Sequence, residues 1–272
     1  QEKLDLAKAQ LMDRLKARND STASIESREI NRLIYGEYPV NRLPTKASVE
    51  SITREDLIQF HRKFFTPTNF VIAAAGAFRR DEFIKKLELI FKDWQSGDKT
   101  PPVPKPTHKP KPGIYCFNKE GNNITQGRVT MAHEGIDLHN PDLHAIRLMN
   151  YILGGGGFSS RLMQKVRTEY GLVYDVYSDY RPGIDYPQMF KISFQSKNES
   201  CAQALKLCLQ EVERIRDGGV TEQELAEAKQ FFIDGFPGFF FSTKYQTATT
   251  FARAELHGYP KNYFQSFREK IA

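Results

Sequence analysis

The stretch that decides the fold runs from Leu153 to Tyr177 and reads LGGGGFSSRLMQKVRTEYGLVYDVY. Its four consecutive glycines, 154–157, suit a backbone with positive φ or one that lies against another segment of the chain. The residues after them have helical composition, with Ser159 or Ser160 as the expected N-cap and Gly171 as the expected stop. A segment rich in Val and Tyr follows and predicts a strand. The stretch therefore predicts a Gly-rich loop, a short helix, a glycine stop and a strand.

A glycine-rich loop before a helix is also typical of phosphate-binding sites. A P-loop requires Gly-Lys-Ser/Thr at the start of its helix, and Arg161 is not placed for that role. A dinucleotide-binding loop requires a strand before its first glycine, whereas 143–153 has helical periodicity. We therefore exclude a phosphate site. For the four glycines alone, a flexible turn between two packed helices is the simple alternative.

The whole stretch is far more specific than its glycines, and it resembles the C-terminal half-domain of the pitrilysin/insulinase metallopeptidase family. That family includes the mitochondrial processing peptidases and many paired bacterial zinc protease homologues. The residues that carry the resemblance are Asn150, Tyr151, Leu153, Gly154, Gly155, Gly156, Phe158, Ser159, Ser160, Arg161, Leu162, Arg167, Gly171, Leu172, Tyr174, Val176, Tyr177 and Ser178. The resemblance implies an α+β fold of two consecutive half-domains, each an antiparallel sheet with helices packed on one face.

The resemblance also implies roles for particular residues. In this family an arginine and a tyrosine seven residues apart point into the catalytic chamber and contact the substrate carbonyl and the developing oxyanion. Arg167 and Tyr174 match that pair in type and spacing, and we predict them as the catalytic residues. Without the resemblance, a solvated helix arginine and a core strand tyrosine would be the simpler interpretation. The residues predicted to form a loop that contacts substrate are Gly154, Gly155, Gly156, Gly157, Phe158 and Ser159.

Length and composition set the outer limits of the interpretation. The chain has 272 residues, which suggests two domains, and its 40% hydrophobic content is enough for sizeable cores. The net charge of +6 is spread along the chain and gives only weak support to a nucleic-acid partner. Aromatic and basic residues do not interleave in the Lys/Pro-rich segment at 99–113, so we predict no nucleic-acid binding.

The cysteines and the apolar runs indicate which disulfides and membrane spans the chain can form. The three cysteines, Cys116, Cys201 and Cys208, form no CxxC pattern and exclude a disulfide framework, although they are compatible with a single disulfide. No apolar run reaches the roughly 18 to 20 residues of a membrane span, so we predict no transmembrane segment. Location stays unknown from these features. The resemblance favours a periplasmic or membrane-associated bacterial protein, with a mitochondrial one as the alternative.

The expected domain organisation has three parts. Residues 1–98 are predicted to be the C-terminal part of the first half-domain, incomplete at its N-terminus. Residues 99–113 hold most of a Pro/Lys-rich stretch and read as an extended linker, with a Pro-rich recognition peptide as the alternative. Residues 114–272 are predicted to be the second half-domain, incomplete at its C-terminus.

Periodicity predicts the main elements of both halves. The predicted helices are 2–18, 21–35, one opening at a Thr53/Asp56 capping box, 81–94, one beginning at Pro141, 200–217 and one opening at a Thr221/Glu224 capping box. The predicted strands are Phe70–Ala75, Ile114–Asn118, Thr125–Ala132 and Met189–Gln195. The Phe-dense segment 231–241 is predicted to be core, with an exposed hydrophobic binding strip as the alternative.

The zinc site expected of the family's enzymes is missing from this sequence. Such enzymes bind zinc through an inverted HxxEH helix, and neither HxxEH nor HExxH occurs here. His133-Glu134 does not begin an HExxH motif, because Asp137 occupies the position of the second histidine. The resemblance places the third ligand at Arg14, and an arginine cannot ligate zinc. His139 and His144 lack the spacing of such a motif, and His61 is interpreted as a helix-surface residue. We therefore predict no metal bound by this chain, with zinc held by a partner chain or an upstream segment.

Three functional hypotheses follow. In the first, the chain is a peptide-binding, non-metallated subunit that supplies Arg167 and Tyr174 to the zinc site of a partner. The partner would be a homologous HxxEH-bearing subunit or a second copy, and the substrate a peptide or unfolded polypeptide. In the second, the chain belongs to a self-sufficient zinc endopeptidase whose HxxEH lies upstream. In the third, it is a non-enzymatic structural core subunit.

Overall fold

A computed structural model describes residues 1–119 and 124–272. In the first half the α-helices are α1 (Glu2–Lys16), α2 (Thr22–Tyr35), α3 (Lys46–Ser51), α4 (Arg54–Phe64) and α5 (Arg80–Phe91). In the second half the elements are β1 (Gln126–Glu134), α6 (Leu143–Asn150), β2 (Val173–Tyr180), β3 (Met189–Lys197), α7 (Cys201–Gly218), α8 (Glu222–Phe241), α9 (Lys244–Leu256) and α10 (Tyr263–Ile271). The predicted α+β class is confirmed.

The three strands form one antiparallel sheet in the order β1-β3-β2. Alternation along β3 sends Ile192 and Phe194 to one face, where they join the core, and Ser193 to the other face. The core lies between that first face and the helices. It is built mainly from Leu153, Leu162, Met163, Val166, Val173, Val176, Ala204, Leu207 and Cys208.

A second apolar cluster lies where α6, α8 and α10 meet, and it absorbs part of the Phe-dense segment. Phe232, Phe236 and Phe240 pack against it, as predicted for core residues. Phe231 and Phe239 are exposed, so the core prediction is wrong for these two. Helix α8 runs through Pro237 without a break.

Two predicted strands are wrong. Phe70–Ala75 and Ile114–Asn118 form no ladder with any described strand, and their apolar side chains Phe70, Ile72 and Ile114 are exposed. A strand is stabilised by ladder hydrogen bonds to a neighbouring strand. Among the described residues, no strand pairs with either run.

Helix α2 packs against β1 on the second face of the sheet, which the prediction of helices on a single face did not anticipate. Tyr35 Oη accepts a hydrogen bond from the backbone N–H of Met189 at 2.7 Å, and burial raises the pKa of this tyrosine to about 12. Glu26 accepts hydrogen bonds from Arg128 Nε and from Thr130 Oγ1, both at 2.6 Å. The N-terminal helices are thereby joined to the sheet of the second half.

Within the described ranges, no helix is both long enough and apolar enough to cross a membrane.

Candidate functional site

The Gly-rich loop begins as a π-helical turn, Tyr151–Gly155, that continues α6. A Cβ at Gly154 would lie 2.4 Å from the backbone nitrogen of Ser178 in β2, so only glycine lets this turn reach the strand. Cβ atoms at Gly155 and Gly156 would meet Asn150 Nδ2 at 2.6 Å and the carbonyl of Tyr151 at 2.7 Å. The first three glycines are therefore fixed by close packing.

The end of the loop is different, because it is open. Gly157 has a φ of 63° and would have no atom within 4 Å of an added Cβ. Phe158, in the 3₁₀ turn Gly157–Ser159, is 65% exposed. The predicted N-cap position is confirmed for Ser160, which is extended directly before the helix and whose carbonyl accepts from the N–H of Gln164 at 3.0 Å. Its side chain does not cap the helix, because the hydroxyls of Ser159 and Ser160 donate to the carbonyls of Gly156 and Gly157.

The helix after the loop contains a second π-helical segment, Met163–Glu169. Val166 on its inner side is fully buried in the core, which fixes the outer side toward solvent. Gly171 ends it at a φ of 63°, with its N–H donating to the carbonyl of Arg167 at 2.9 Å, so the predicted glycine stop is confirmed. π-Helical turns are rare and often lie at functional sites.

The structure brings Arg167 and Tyr174 together. The guanidinium carbon of Arg167 lies 4.8 Å from the centre of the Tyr174 ring and 4.7 Å from the centre of the Phe158 ring. Tyr174 is 83% exposed, and the pairing register of β2 shifts between Val173 and Val176 at this point. Among the described residues, no oxygen accepts a hydrogen bond from the guanidinium of Arg167, so its N–H groups are available to a ligand.

Arg161, in the same stretch, has a structural role that the sequence did not reveal. Its guanidinium donates to both carboxylate oxygens of Glu224 at 2.6 and 2.7 Å and to the carbonyl of Gly219 at 3.1 Å. Glu224 also completes the predicted capping box with Thr221. These hydrogen bonds, that from Arg161 first, lower the pKa of Glu224 to about 2. In the sequence, the Thr221/Glu224 capping box was the one feature that drew attention to Glu224, and it did not point to Arg161.

The residues considered for metal binding do not form a metal centre. Arg14 lies exposed on α1, and His133 lies on β1 with its ring stacked on Phe190. His61 stacks on Phe65. In residues 1–119 and 124–272, no group of three or more His, Cys, Asp or Glu side chains is arranged to hold a metal ion. The side chains in these ranges therefore do not fit a zinc ion, and the candidate site offers the donors of Arg167 and Tyr174.

Comparison with known sequences identifies the family of this α+β chain. The sequence profile described as "Peptidase M16 inactive domain" matches residues 51–232. The chain belongs to this family of peptidase M16 inactive domains, which confirms the resemblance to pitrilysin-type metallopeptidases.

Over the aligned residues, curated relatives are about one quarter identical to this chain. An uncharacterized zinc protease of Streptomyces coelicolor is 25% identical over 236 residues, which are 84% of this chain and 50% of that protein. The uncharacterized zinc protease YmxG of Bacillus subtilis is 28% identical over 80% of this chain and 52% of its own length. A protein of Helicobacter pylori described as a non-peptidase homolog, also YmxG, is 26% identical over 87% of this chain and 54% of its own length. The chain spans about half the length of these relatives.

Solved structures show the same fold. A peptidase M16 inactive domain from Pseudomonas fluorescens is 25% identical and superposes with a TM-score of 0.85, covering 99% of this chain and 63% of that one. A protease from Helicobacter pylori, 15% identical, gives a TM-score of 0.80 and covers 100% of this chain and 66% of its own.

Proposed function

We propose that this chain acts in proteolysis as a peptide-binding, non-metallated subunit that supplies Arg167 and Tyr174 to the zinc site of a partner chain. One observation carries the proposal: the guanidinium of Arg167 lies against the exposed Tyr174 ring with none of its donors engaged by a described residue. The absence of a metal-binding group among the described residues supports a zinc site held elsewhere.

The pair suits an extended peptide as its ligand. A guanidinium offers a planar set of N–H donors, and the tyrosine phenol adds one O–H donor beside it. Both would donate to a peptide carbonyl oxygen, and both bonds strengthen as negative charge grows on that oxygen. The two side chains would therefore stabilise the oxyanion that develops during hydrolysis more than the neutral carbonyl of the bound peptide.

The second candidate is a self-sufficient zinc endopeptidase with its HxxEH in another segment of the same polypeptide. It is favoured by the relatives described as zinc proteases, half of whose length this chain spans. The relative described as a non-peptidase homolog favours the first candidate instead.

A cleavage assay on the 272-residue chain tests the first candidate, whereas the second predicts cleavage by the complete polypeptide without any partner. The 272-residue chain is mixed with a homologous HxxEH-bearing chain, and hydrolysis of a fluorogenic unfolded peptide is followed. We expect cleavage only from the mixture, and we expect Arg167→Ala to lower the turnover number by about 10²-fold, the usual cost of removing one oxyanion donor. Arg216→Ala, a matched change at an exposed arginine of α7, should leave turnover unchanged.

Two results would overturn the proposal. Unchanged turnover with Arg167→Ala would remove the role of the pair. Zinc-dependent cleavage by the 272-residue chain alone would replace a partner's site with one of its own.

A further inference from the structure

Arg167 is held between two aromatic rings from different elements. Phe158 belongs to the open end of the Gly-rich loop, and Tyr174 belongs to β2. The ring centres lie 4.7 and 4.8 Å from the guanidinium carbon, both within the range of a cation–π contact. Neither ring accepts a conventional hydrogen bond, and no described residue does so either, so the donor edge of the guanidinium, formed by its N–H groups, stays available to a ligand.

The position of Phe158 depends on the loop rather than on the core. Its side chain is largely exposed, and Gly157 before it has an open, left-handed backbone. The turn is tied to the following helix by Gln164, whose side-chain amide donates to the carbonyl of Phe158 at 2.5 Å. A movement of the loop about Gly157 would therefore carry the ring away from Arg167.

A long arginine side chain loses rotamer freedom when it is fixed, so the half-buried Arg167 needs contacts that hold it in one conformer. A single exposed cation–π contact favours the stacked conformer by roughly two- to fivefold. With Tyr174 as the only ring, Arg167 would spend much of its time in other rotamers. The second ring is what gives the guanidinium one dominant orientation.

We propose that Phe158 is a positioning residue: it clamps Arg167 against Tyr174 and so links the position of the Gly-rich loop to the donor edge presented to a peptide. The clamp stands on the geometry alone. Its effect on peptide binding rests on the proposed function.

The clamp itself is tested by NMR on the full chain with isotope-labelled arginine. We expect the side-chain proton resonances of Arg167 to lie upfield because of the ring currents of two faces, and to move downfield in Phe158→Leu. Phe158→Tyr should keep them upfield. Phe251→Leu, a change at an exposed ring that contacts no cation among the described residues, is the matched control and should leave them in place.

Graded fluorination separates a cation–π contact from simple packing. Replacing Phe158 by mono-, di- and trifluorophenylalanine weakens the negative face of the ring while its shape changes little. We expect the Arg167 resonances to move downfield step by step along the series. Resonances that are insensitive to both Phe158→Leu and the fluorinated series would overturn the proposal.

Peptide binding gives the functional readout. We expect Phe158→Leu to weaken binding of a fluorescent unfolded peptide roughly two- to fivefold, with Phe158→Tyr restoring it. If the wild-type chain binds no peptide while the NMR shifts behave as expected, the proposed function fails and the clamp stands. If the wild-type chain binds peptide and Phe158→Leu binds equally well with unshifted resonances, the clamp fails and the function stands.

Discussion

Two segments, one in each half of the molecule, are both predicted to be strands and have different structures. Phe70–Ala75 in the first half is a continuous apolar run, and Met189–Lys197 in the second alternates apolar and polar residues. The second run is β3 and lies between two partners, whereas the first has no partner among the described residues and is exposed. The comparison teaches that apolar composition predicts a strand only where a neighbouring strand is available to pair with it.

The largest expected difference between the halves is in side-chain burial. Leu162 in the second half is 0% exposed and Leu89 in the first is 68% exposed. We expect Leu162→Ala to lower the free energy of unfolding by about 3 to 4 kcal/mol, because it removes buried carbons and leaves a cavity. Leu89→Ala should cost less than about 0.5 kcal/mol. Urea denaturation measures both, and similar losses would refute the contrast.

A similar contrast between packed and open positions applies to glycines within the second half. An added Cβ at Gly154 would collide with the backbone of β2, whereas one at Gly218 would meet nothing within 4 Å. We expect Gly154→Ala to destabilise the protein by about 2 to 3 kcal/mol. Gly218→Ala, at the end of α7, should be neutral or stabilising by up to about 1 kcal/mol. Thermal unfolding of the two variants measures the difference, and equal melting temperatures would contradict it.

The smaller expected effect is electrostatic. The folded state holds the pKa of Glu224 at about 2, below its ordinary value, because Arg161 and Thr221 donate to the carboxylate. The unfolded state therefore binds more protons in acid, so this contribution is present above pH ~4.5 and is lost as the pH falls toward 2. Since the pair is partly exposed, we expect a loss on the order of 1 to 2 kcal/mol.

A pH series of urea denaturation curves measures this effect. Glu224→Gln should flatten the dependence between pH 4.5 and 2. The matched change Glu82→Gln removes an exposed ion pair with Arg79 in the first half and should leave the dependence as it is. The same slope in Glu224→Gln as in the wild-type chain would show that the carboxylate of Glu224 is not the group responsible.

Much of the fold could be predicted from local sequence. The capping boxes Thr53/Asp56 and Thr221/Glu224 open α4 and α8 as expected, because a threonine and an acidic residue three positions on satisfy each other's helix-end groups. The alternation of apolar and polar residues from position 189 to 195 identified β3. The packing of α2 on the second face of the sheet could not be predicted, because it depends on contacts such as Tyr35 to Met189, which are far apart in sequence.

The candidate site was predictable in its residues and only partly in its geometry. The spacing of Arg167 and Tyr174, together with the family resemblance, singled out two side chains that the structure places in contact. The contact from Phe158 was beyond sequence reasoning, because the direction of an exposed ring after four glycines is set by the turn they form. The role of Arg161 was missed because its partner lies 63 positions away, on α8.

Direct capture of a peptide tests the central claim, that Arg167 and the exposed Tyr174 form a peptide contact. A photoreactive benzoylphenylalanine is placed at Tyr174 or, as a matched control, at Tyr245, which is 82% exposed at the start of α9. We predict that an unfolded peptide is cross-linked at position 174 and not at 245, and that Arg167→Ala reduces this capture. Equal capture at the two positions would contradict the claim.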